Sequence, residues 1–203
     1  MKAHFQASQT KIDSLASTCL LPTPFGPVAV LWSIYKGEPK IGQILISNPE
    51  ISAQQTREKF FPDAVASSCG EVDILVNQIE ASLNGADIQF TLDVLRLDLC
   101  SPFQQQVLRA DYAIPRGSIS TYRLLAKHVG NPRGARAVGT ALATNPFPIV
   151  IPCHRVIRSD GTLGGFGGGL EMKQKLLELE GVTFHNAGHV ATGNFIYEEQ
   201  TPF

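Results

Sequence analysis

The sequence is poor in the features that mark membrane, secreted and zinc-stapled proteins. It contains four cysteines, Cys19, Cys69, Cys100 and Cys153, and no two of them form a CxxC pair. Structural zinc sites usually show such close ligand pairs, so this spacing predicts neither a metal site nor, in a reducing compartment, disulfides. No apolar run approaches the roughly 18 residues of a membrane span. The polar N-terminus lacks the apolar stretch of a secretory signal, which predicts an intracellular protein, cytoplasmic or, in a eukaryote, nuclear.

Charge is scarce and unevenly distributed. Charged residues make up 17% of the chain and the net charge is −1, which by itself disfavours a nucleic-acid partner. Residues 109–158, however, hold eight basic side chains and a single acidic one, Asp111, whereas the segments on either side are both net acidic. Such a block predicts a local anionic partner, although a solvated basic helix face would have the same composition.

Residues 1–97 predict an α+β domain. Residues 22–31 and 41–47 have strand composition and could pair antiparallel across the intervening GEPK turn. Helical spacing predicts helices over 52–61 and 72–83, the second ending at Asn84-Gly85. The alternation in residues 88–97 predicts a further strand.

Residues 98–185 predict a second, mostly helical domain. Ser101 and Pro102 are typical of a helix start. Ser120 is expected to cap a helix that ends at Gly130, and Asn131 to cap the next one, which leaves a two-residue turn. That connectivity is the one of a helix-turn-helix.

The remainder of the chain predicts shorter elements. Residues 148–151 read as a buried strand, and residues 170–180 as a helix that ends at Gly181. A strand and a frayed C-terminal tail, residues 186–203, are expected to follow.

The helix predicted after Asn131 is almost bare, because glycines and alanines surround its one long central side chain, Arg136. Small residues allow a partner's backbone to approach closely, so the helix could enter a groove with Arg136 leading. Close packing against another helix explains the composition equally well.

Cys153 and His154 lie side by side in the segment IPCHR. A histidine base would make the thiol a better nucleophile, but adjacent side chains of an extended strand face opposite ways. A direct contact therefore needs a bend at Pro152 or a bridging water. Glu180 is a candidate to fix the imidazole tautomer. On spacing alone, an inert buried cysteine remains open. The glycine-rich run that follows matches neither phosphate-binding motif, GxGxxG or GxxxxGK[ST], and is expected to pass close to a flat ligand.

The segment NPRGARAVGTALATNPFPIVIPCHRVIRSDGTLGGFGGG resembles the O6-alkylguanine-DNA alkyltransferases. The resemblance is close over about residues 100–181 and extends more loosely through TPFGPV of the first domain. It implies a ribonuclease H-like N-terminal domain with an antiparallel sheet and a winged-helix-like C-terminal domain. It also implies a monomer that binds double-stranded DNA containing O6-alkylguanine, flips the base through the minor groove, and transfers the alkyl group from O6 of guanine, or O4 of thymine, irreversibly to its own cysteine without a cofactor.

The resemblance also assigns residues to roles. The expected catalytic residues are the nucleophile Cys153, its partners His154 and Glu180, the loop-ordering Asn145, and Tyr122, which presses on the phosphate. The expected DNA contacts are Arg136, which fills the space of the flipped base, together with Tyr122, Arg123, Gln104, Asn131, Ala135, Ala137 and Ser159. The expected pocket residues are Pro148, Val156, Gly164, Gly165, Phe166, Gly167 and Lys173.

Two departures from the family pattern stand out. Phe166-Gly167 replaces a Tyr-Ser or Tyr-Arg pair that many members carry, which removes hydroxyls that could stabilise the leaving O6. Some members bind zinc in the N-terminal domain, but Cys19, Cys69 and His4 do not match that ligand pattern. Three alternatives are an alkyltransferase-like binding protein, which would lack Cys153, a winged-helix regulator and a Cys-His hydrolase. Neither of the last two explains PCHR beside a glycine-rich loop.

Overall fold

The computed structural model describes residues 15–186, 188–192 and 194–197. The chain divides into two compact units, Met1–Ser101 with Pro146–Val150 and Pro102–Asn145 with Ile151–Phe203. The first unit thus ends a few residues after the boundary predicted at residue 97. It also includes a short segment from the middle of the second half of the sequence. No described helix has both the length and the apolar character that crossing a membrane requires.

A four-stranded sheet forms the first unit. Its strands are β1 (Ser17–Leu21), β2 (Val28–Tyr35), β3 (Glu38–Ile46) and β4 (Val65–Ala66), in the order β3-β2-β1-β4. β1, β2 and β3 pair antiparallel and β4 joins β1 in parallel, so the predicted all-antiparallel sheet is wrong at this edge. Lys36 and Gly37 make the β2–β3 turn, both with positive φ, as a two-residue hairpin requires. The strand predicted at 22–31 begins only at Val28, because the preceding residues turn at Gly26.

Two helices accompany this sheet, α1 (Ala53–Phe60) and α2 (Gly70–Leu83), as predicted. A capping box between Ser52 and Gln55 starts α1. The strand predicted over 88–97 is wrong. A turn at Leu92–Leu95 interrupts this segment, which pairs with the sheet at a single bridge between Ile41 and Leu95 and continues into a 3-10 turn, Leu97–Leu99.

Four helices dominate the second unit: α3 (Pro102–Tyr112), α4 (Tyr122–His128), α5 (Ala135–Ala143) and α6 (Leu170–Leu179). The side chain of Thr121, not Ser120, caps α4 by accepting from the amide of Leu124 at 3.1 Å. The residues before this cap form a strand, β5 (Ser118–Thr121), which the sequence reasoning missed.

The turn between α4 and α5 is longer than the two residues predicted. It spans residues 129–134, and α5 begins at Ala135 rather than directly after Asn131. Asn131 instead closes the turn, since its carbonyl accepts from the amide of Gly134 at 2.8 Å. Its side chain lies so close to Gly134 that a Cβ there would come within 2.3 Å of Nδ2. α4 and α5 therefore pack together as two helices joined by a tight, glycine-dependent turn.

Short strands complete the second unit: β6 (Val156–Ile157), β7 (Thr183–Asn186), β8 (His189–Thr192) and β9 (Asn194–Phe195). β5 pairs in parallel with both β6 and β9, and β7 pairs antiparallel with β8. The strand predicted at 148–151 is wrong, because residues 149–150 form a turn in which Ile149 has φ 75°, although the segment is buried as expected. α6 begins at the predicted Leu170 and ends at Leu179, one residue before the predicted end. The tail beyond residue 197 lies outside the described residues.

Candidate active site

Cys153 and His154 lie in a 3-10 turn, Cys153–Arg155, rather than in an extended strand. The amide of Arg155 donates to the carbonyl of Pro152 at 2.8 Å, which forms the bend that Pro152 was expected to make. The two side chains are therefore not forced onto opposite faces. Both are buried, with 9% of Cys153 and 3% of His154 exposed.

Glu180 directly follows α6 and binds two residues of this turn. Its Oε1 lies 2.9 Å from Nε2 of His154, as the sequence reasoning proposed. Arg155 also donates to Glu180, from Nε to Oε2 and from Nη2 to Oε1, both at 2.9 Å. The remaining arm of Arg155 donates from Nη1 to the carbonyl of Ile114 at 2.6 Å. Arg155 thus fixes Glu180, and Glu180 fixes the imidazole.

These contacts set the protonation states of the site. Burial raises the pKa of Glu180, but His154 and Arg155 outweigh burial and hold this pKa at about 2. Burial lowers the pKa of His154 against the raising effect of Glu180. The two hydrogen bonds from the Arg155 guanidinium keep Glu180 ionised beside a neutral imidazole. A carboxylate only accepts, so Nε2 of His154 carries the proton and Nδ1 carries a free lone pair.

The Cys153 sulfur is protonated in the resting site. Burial and the charge of Asp111 raise the pKa of its thiol to about 12, while a hydrogen bond from Asn145 and the charge of Lys173 lower it. Asn145 also donates from Nδ2 to the carbonyl of Ile151 at 3.0 Å, which fixes the chain two residues before the thiol. The thiol therefore needs a base before it can act as a nucleophile. Nδ1 of His154 is buried, and no described residue hydrogen-bonds to it.

Lys173 is fully buried and ties two segments of the predicted pocket to α6. Its Nζ donates to the carbonyl of Val156 at 2.7 Å and more weakly to that of Gly165 at 3.4 Å. Burial lowers its pKa to about 8. Lys173 thus contacts the glycine-rich loop from its buried side, while Gly165 and Gly167 are exposed. Phe166 is half-buried, and its ring lies roughly perpendicular to that of His154, at 6.2 Å between centroids.

Tyr122 begins α4 and lies against the same loop. Gly164 has φ +69°, and a Cβ there would meet the Tyr122 hydroxyl at 2.9 Å, so this contact requires glycine. Burial raises the pKa of Tyr122 to about 12, and Cys153 adds to the increase. Tyr122 is therefore a neutral hydroxyl close to the thiol, and the structure brings it together with Cys153, His154, Glu180, Asn145 and Lys173.

The residues predicted to contact DNA differ in how exposed they are. Arg136 and Ala137 of α5, Arg123 of α4, Asn131 and Ser159 are exposed, and Ala135 is half-buried. Gln104 is engaged within the unit, since its Nε2 donates to the carbonyls of Ala141 and Thr144 at 3.2 and 3.1 Å, where it caps the end of α5. Pro148 is buried in the segment that groups with the first unit. Its pocket role stays a prediction.

Among the residues that the structure describes, no three His, Cys, Asp or Glu side chains are arranged so that they could hold a metal ion. Cys19 is instead engaged in the first unit, where its Sγ donates to the carbonyl of Ser67 at 2.9 Å. His4, the third residue considered for zinc, lies outside the described ranges.

Comparison with known proteins identifies the family. The chain is 41% identical over 131 residues to the methylated-DNA–protein-cysteine methyltransferase of Mycobacterium tuberculosis strain H37Rv, a match that covers 64% of this chain and 75% of that protein. The chain belongs to the methylated-DNA–protein-cysteine methyltransferase family. The family model described as the 6-O-methylguanine DNA methyltransferase DNA-binding domain matches residues 102–182.

Other members of the family agree in sequence and structure. The methylated-DNA–protein-cysteine methyltransferase of Methanothermobacter thermautotrophicus is 48% identical over 110 residues, which are 54% of this chain and 61% of that protein. The chain thus spans less than two thirds of that relative's length. The crystal structure of M. tuberculosis OGT in complex with DNA has a TM-score of 0.62 at 33% identity, and the match covers 79% of this chain and 90% of that one.

Sequence reasoning missed two residues of this site. Arg155 was counted only as part of the basic block, although it anchors Glu180. Asp111 was noted only as the single acid in that block. The α3 pattern could have found it, because Asp111 follows the inward-facing Val107 and Leu108 by four and three residues and so lies on the same buried face.

Proposed function

We propose that this chain is a single-turnover DNA alkyltransferase that moves a methyl group from O6 of guanine in double-stranded DNA to Cys153. The observation that carries this proposal is a buried thiol beside the neutral imidazole of His154. Nε2 of this imidazole is held by Glu180. Such an arrangement supplies a nucleophile, a base and the group that orients the base. Membership of the methyltransferase family supports the same chemistry.

The reaction balances within this set of residues. The Cys153 proton passes to Nδ1 of His154, directly or through a water, while Glu180 stabilises the resulting imidazolium. The thiolate attacks the methyl carbon in line, an S–C bond forms, and the C–O6 bond breaks with its electron pair left on guanine. The Tyr122 hydroxyl is proposed to donate a proton to a ring nitrogen of the guanine anion, and the proton taken up by His154 returns through solvent to Tyr122, so that both side chains end neutral. The thioether does not hydrolyse, so each chain acts once.

DNA binding is proposed to use α4, α5 and the turn between them. Residues 109–158 carry eight basic side chains, and Arg136 stands exposed among the small residues of α5. Such a helix can approach the minor groove closely, with Arg136 occupying the space of the flipped nucleotide. Arg123 and Ser159, which are exposed, are proposed to contact phosphates, whereas Gln104 holds the end of α5. The relative solved in complex with DNA supports DNA as the partner.

Phe166-Gly167 shapes the proposed pocket differently from a Tyr-Ser pair. The Phe166 ring lies roughly perpendicular to the His154 ring but offers no hydroxyl. Stabilisation of the leaving guanine is then proposed to come from the backbone amides of the glycine-rich loop at O6 and from the Tyr122 hydroxyl at a ring nitrogen. O4 of thymine is proposed as a second substrate, because it presents an equivalent leaving oxygen.

The wider assignments remain part of the same proposal. The first domain, residues 1–97, is proposed to be ribonuclease H-like and the second, residues 98–185, winged-helix-like, followed by a tail, residues 186–203. The protein is proposed to act as a monomer without a cofactor. Its proposed location is the cytoplasm or, in a eukaryote, the nucleus.

Mass spectrometry of the intact protein tests the proposal. After incubation with a duplex that contains O6-methylguanine, we expect the mass of wild type to rise by one methyl group and the mass of Cys153→Ala to stay unchanged. Tight binding of the damaged duplex without a mass gain would instead indicate a binding protein. A Cys153→Ala variant that still gains a methyl group would exclude Cys153 as the acceptor.

A further inference from the structure

Asp111 is a buried carboxyl that the proposed chemistry does not use. It has no exposed surface, and neither of its oxygens has a hydrogen-bond partner among the described residues. It is also the single acidic residue between positions 109 and 158. Because buried polar groups are almost always hydrogen-bonded, a carboxyl without such a partner in this position requires an explanation.

The α3 helix places Asp111 close to the nucleophile. α3 packs against the turn Cys153–Arg155, and Arg155 donates to Ile114, three residues after Asp111. On the adjoining residue, the carbonyl of Ala110 accepts from the hydroxyl of Tyr197 at 2.8 Å. Asp111 thus belongs to the same buried cluster as the thiol.

Charged and titratable groups surround this carboxyl from each neighbouring element. They are Cys153 and Arg155 of the turn, Tyr122 of α4, Lys173 of α6, and Tyr197. α5 contributes none, since its one charged residue, Arg136, is exposed. Burial raises the pKa of Asp111 to about 7, against the lowering effect of Arg155 and Lys173. The carboxyl can therefore change its charge near neutral pH.

The charge balance of the cluster depends on this one group. Arg155 and Lys173 are cationic and Glu180 is anionic, so a neutral Asp111 leaves one net positive charge around the thiol. An ionised Asp111 cancels it. After burial, Asp111 is the largest cause that raises the pKa of the Cys153 thiol. A neutral residue at this position should therefore favour the thiolate.

We infer that Asp111 is a positioning residue whose carboxyl charge, acting from within the buried cluster, controls how readily the Cys153 thiol ionises. The inference rests on the proposed function, because it regulates the same nucleophile. It makes methyl transfer sensitive to the protonation of a residue that contacts neither the DNA nor the alkyl group.

The test compares Asp111→Asn with wild type across the pH range. Iodoacetamide serves as the probe, and mass mapping of the Cys153 peptide gives the alkylation rate at each pH. We expect the rate profile of Asp111→Asn to shift toward acid, with at least about threefold faster alkylation below the midpoint, since a thiolate fraction changes tenfold per pH unit. Glu171→Gln is the matched control, because it removes an exposed carboxylate from α6 and should leave the profile unchanged.

A second variant separates charge from structure. Asp111→Leu is neutral but cannot form hydrogen bonds, so it should shift the profile in the same direction as Asp111→Asn. Equal profiles for wild type and both variants would overturn the inference. So would a shift in Asp111→Leu alone, since this would indicate repacking. Methyl transfer is measured on the same samples: a shifted thiol profile with no transfer by any protein would refute the proposed function and leave the role of Asp111 intact.

Discussion

Replacing Glu180 by glutamine should lower the free energy of unfolding of the second unit by more than the loss of a single hydrogen bond would. The carboxylate accepts from His154 and twice from Arg155, and only 7% of its side chain is exposed. Its pKa of about 2, against an ordinary value of 4.5, corresponds to about 3 kcal/mol of stability at about 1.4 kcal/mol per pH unit. That agrees with the roughly 3–5 kcal/mol expected when one partner of a buried ion pair is removed.

The low pKa of Glu180 also determines how stability depends on pH. Because folding lowers the pKa of Glu180, its stabilisation is fully present above pH 4.5 and is lost as the pH falls toward about 2. Glu180→Gln should lower the free energy of unfolding at pH 7 and remove this acid-dependent part of it.

Urea unfolding, followed by hydrogen exchange of peptides from α3 and α6, measures both effects in the second unit. The exposed pair of Glu171 with Lys175 provides the control, since Glu171→Gln should change neither quantity. An unfolding free energy of Glu180→Gln equal to that of wild type at pH 7, or an unchanged acid dependence, would refute the assigned network.

Three further predictions concern the loop, the helix and the base. Gly164→Ala should cost about 1–3 kcal/mol in thermal unfolding, because it combines a positive φ with a clash against Tyr122, while Gly165→Ala, which has open space, should not; equal melting temperatures would contradict this contact. Arg136→Ala should slow repair of duplex DNA far more than reaction with free O6-benzylguanine, and equal losses would refute its proposed role in base flipping. His154→Phe, which keeps a buried ring but no base, should reduce the single-turnover rate by roughly 10²–10⁴-fold; a near wild-type rate would show that another group deprotonates the thiol.

Local sequence signals predicted the helices better than the strands. Caps and apolar spacing placed α1, α2 and α6 to within two residues. The alternation in residues 88–97 was misleading, because a strand also needs a partner along its length, and this segment meets the sheet at one bridge. β5 and β6 were missed since they are short and pair with residues distant in sequence.

In the candidate site, too, residues marked by a local sequence motif were predicted, whereas contacts between residues distant in sequence were not. PCHR and its family resemblance gave Cys153, His154 and Glu180, and the contact of the last two is confirmed. Asn131 was misplaced as a helix cap because a cap and a turn favour the same residue types. The contacts of Arg155 and the proposed role of Asp111 depend on α3 and α6 meeting at the turn. Helical spacing could have shown that Asp111 is buried, but no local pattern shows which distant residues it meets.

The stoichiometry of methyl transfer tests the central claim most directly. The protein is incubated with a tenfold molar excess of duplex containing O6-methylguanine, and the product is followed by intact mass and by mapping of the peptide that contains Cys153. We expect uptake to stop at one methyl group per chain, located on the sulfur of Cys153. Continued turnover, methylation at another residue, or no uptake by folded protein would contradict it.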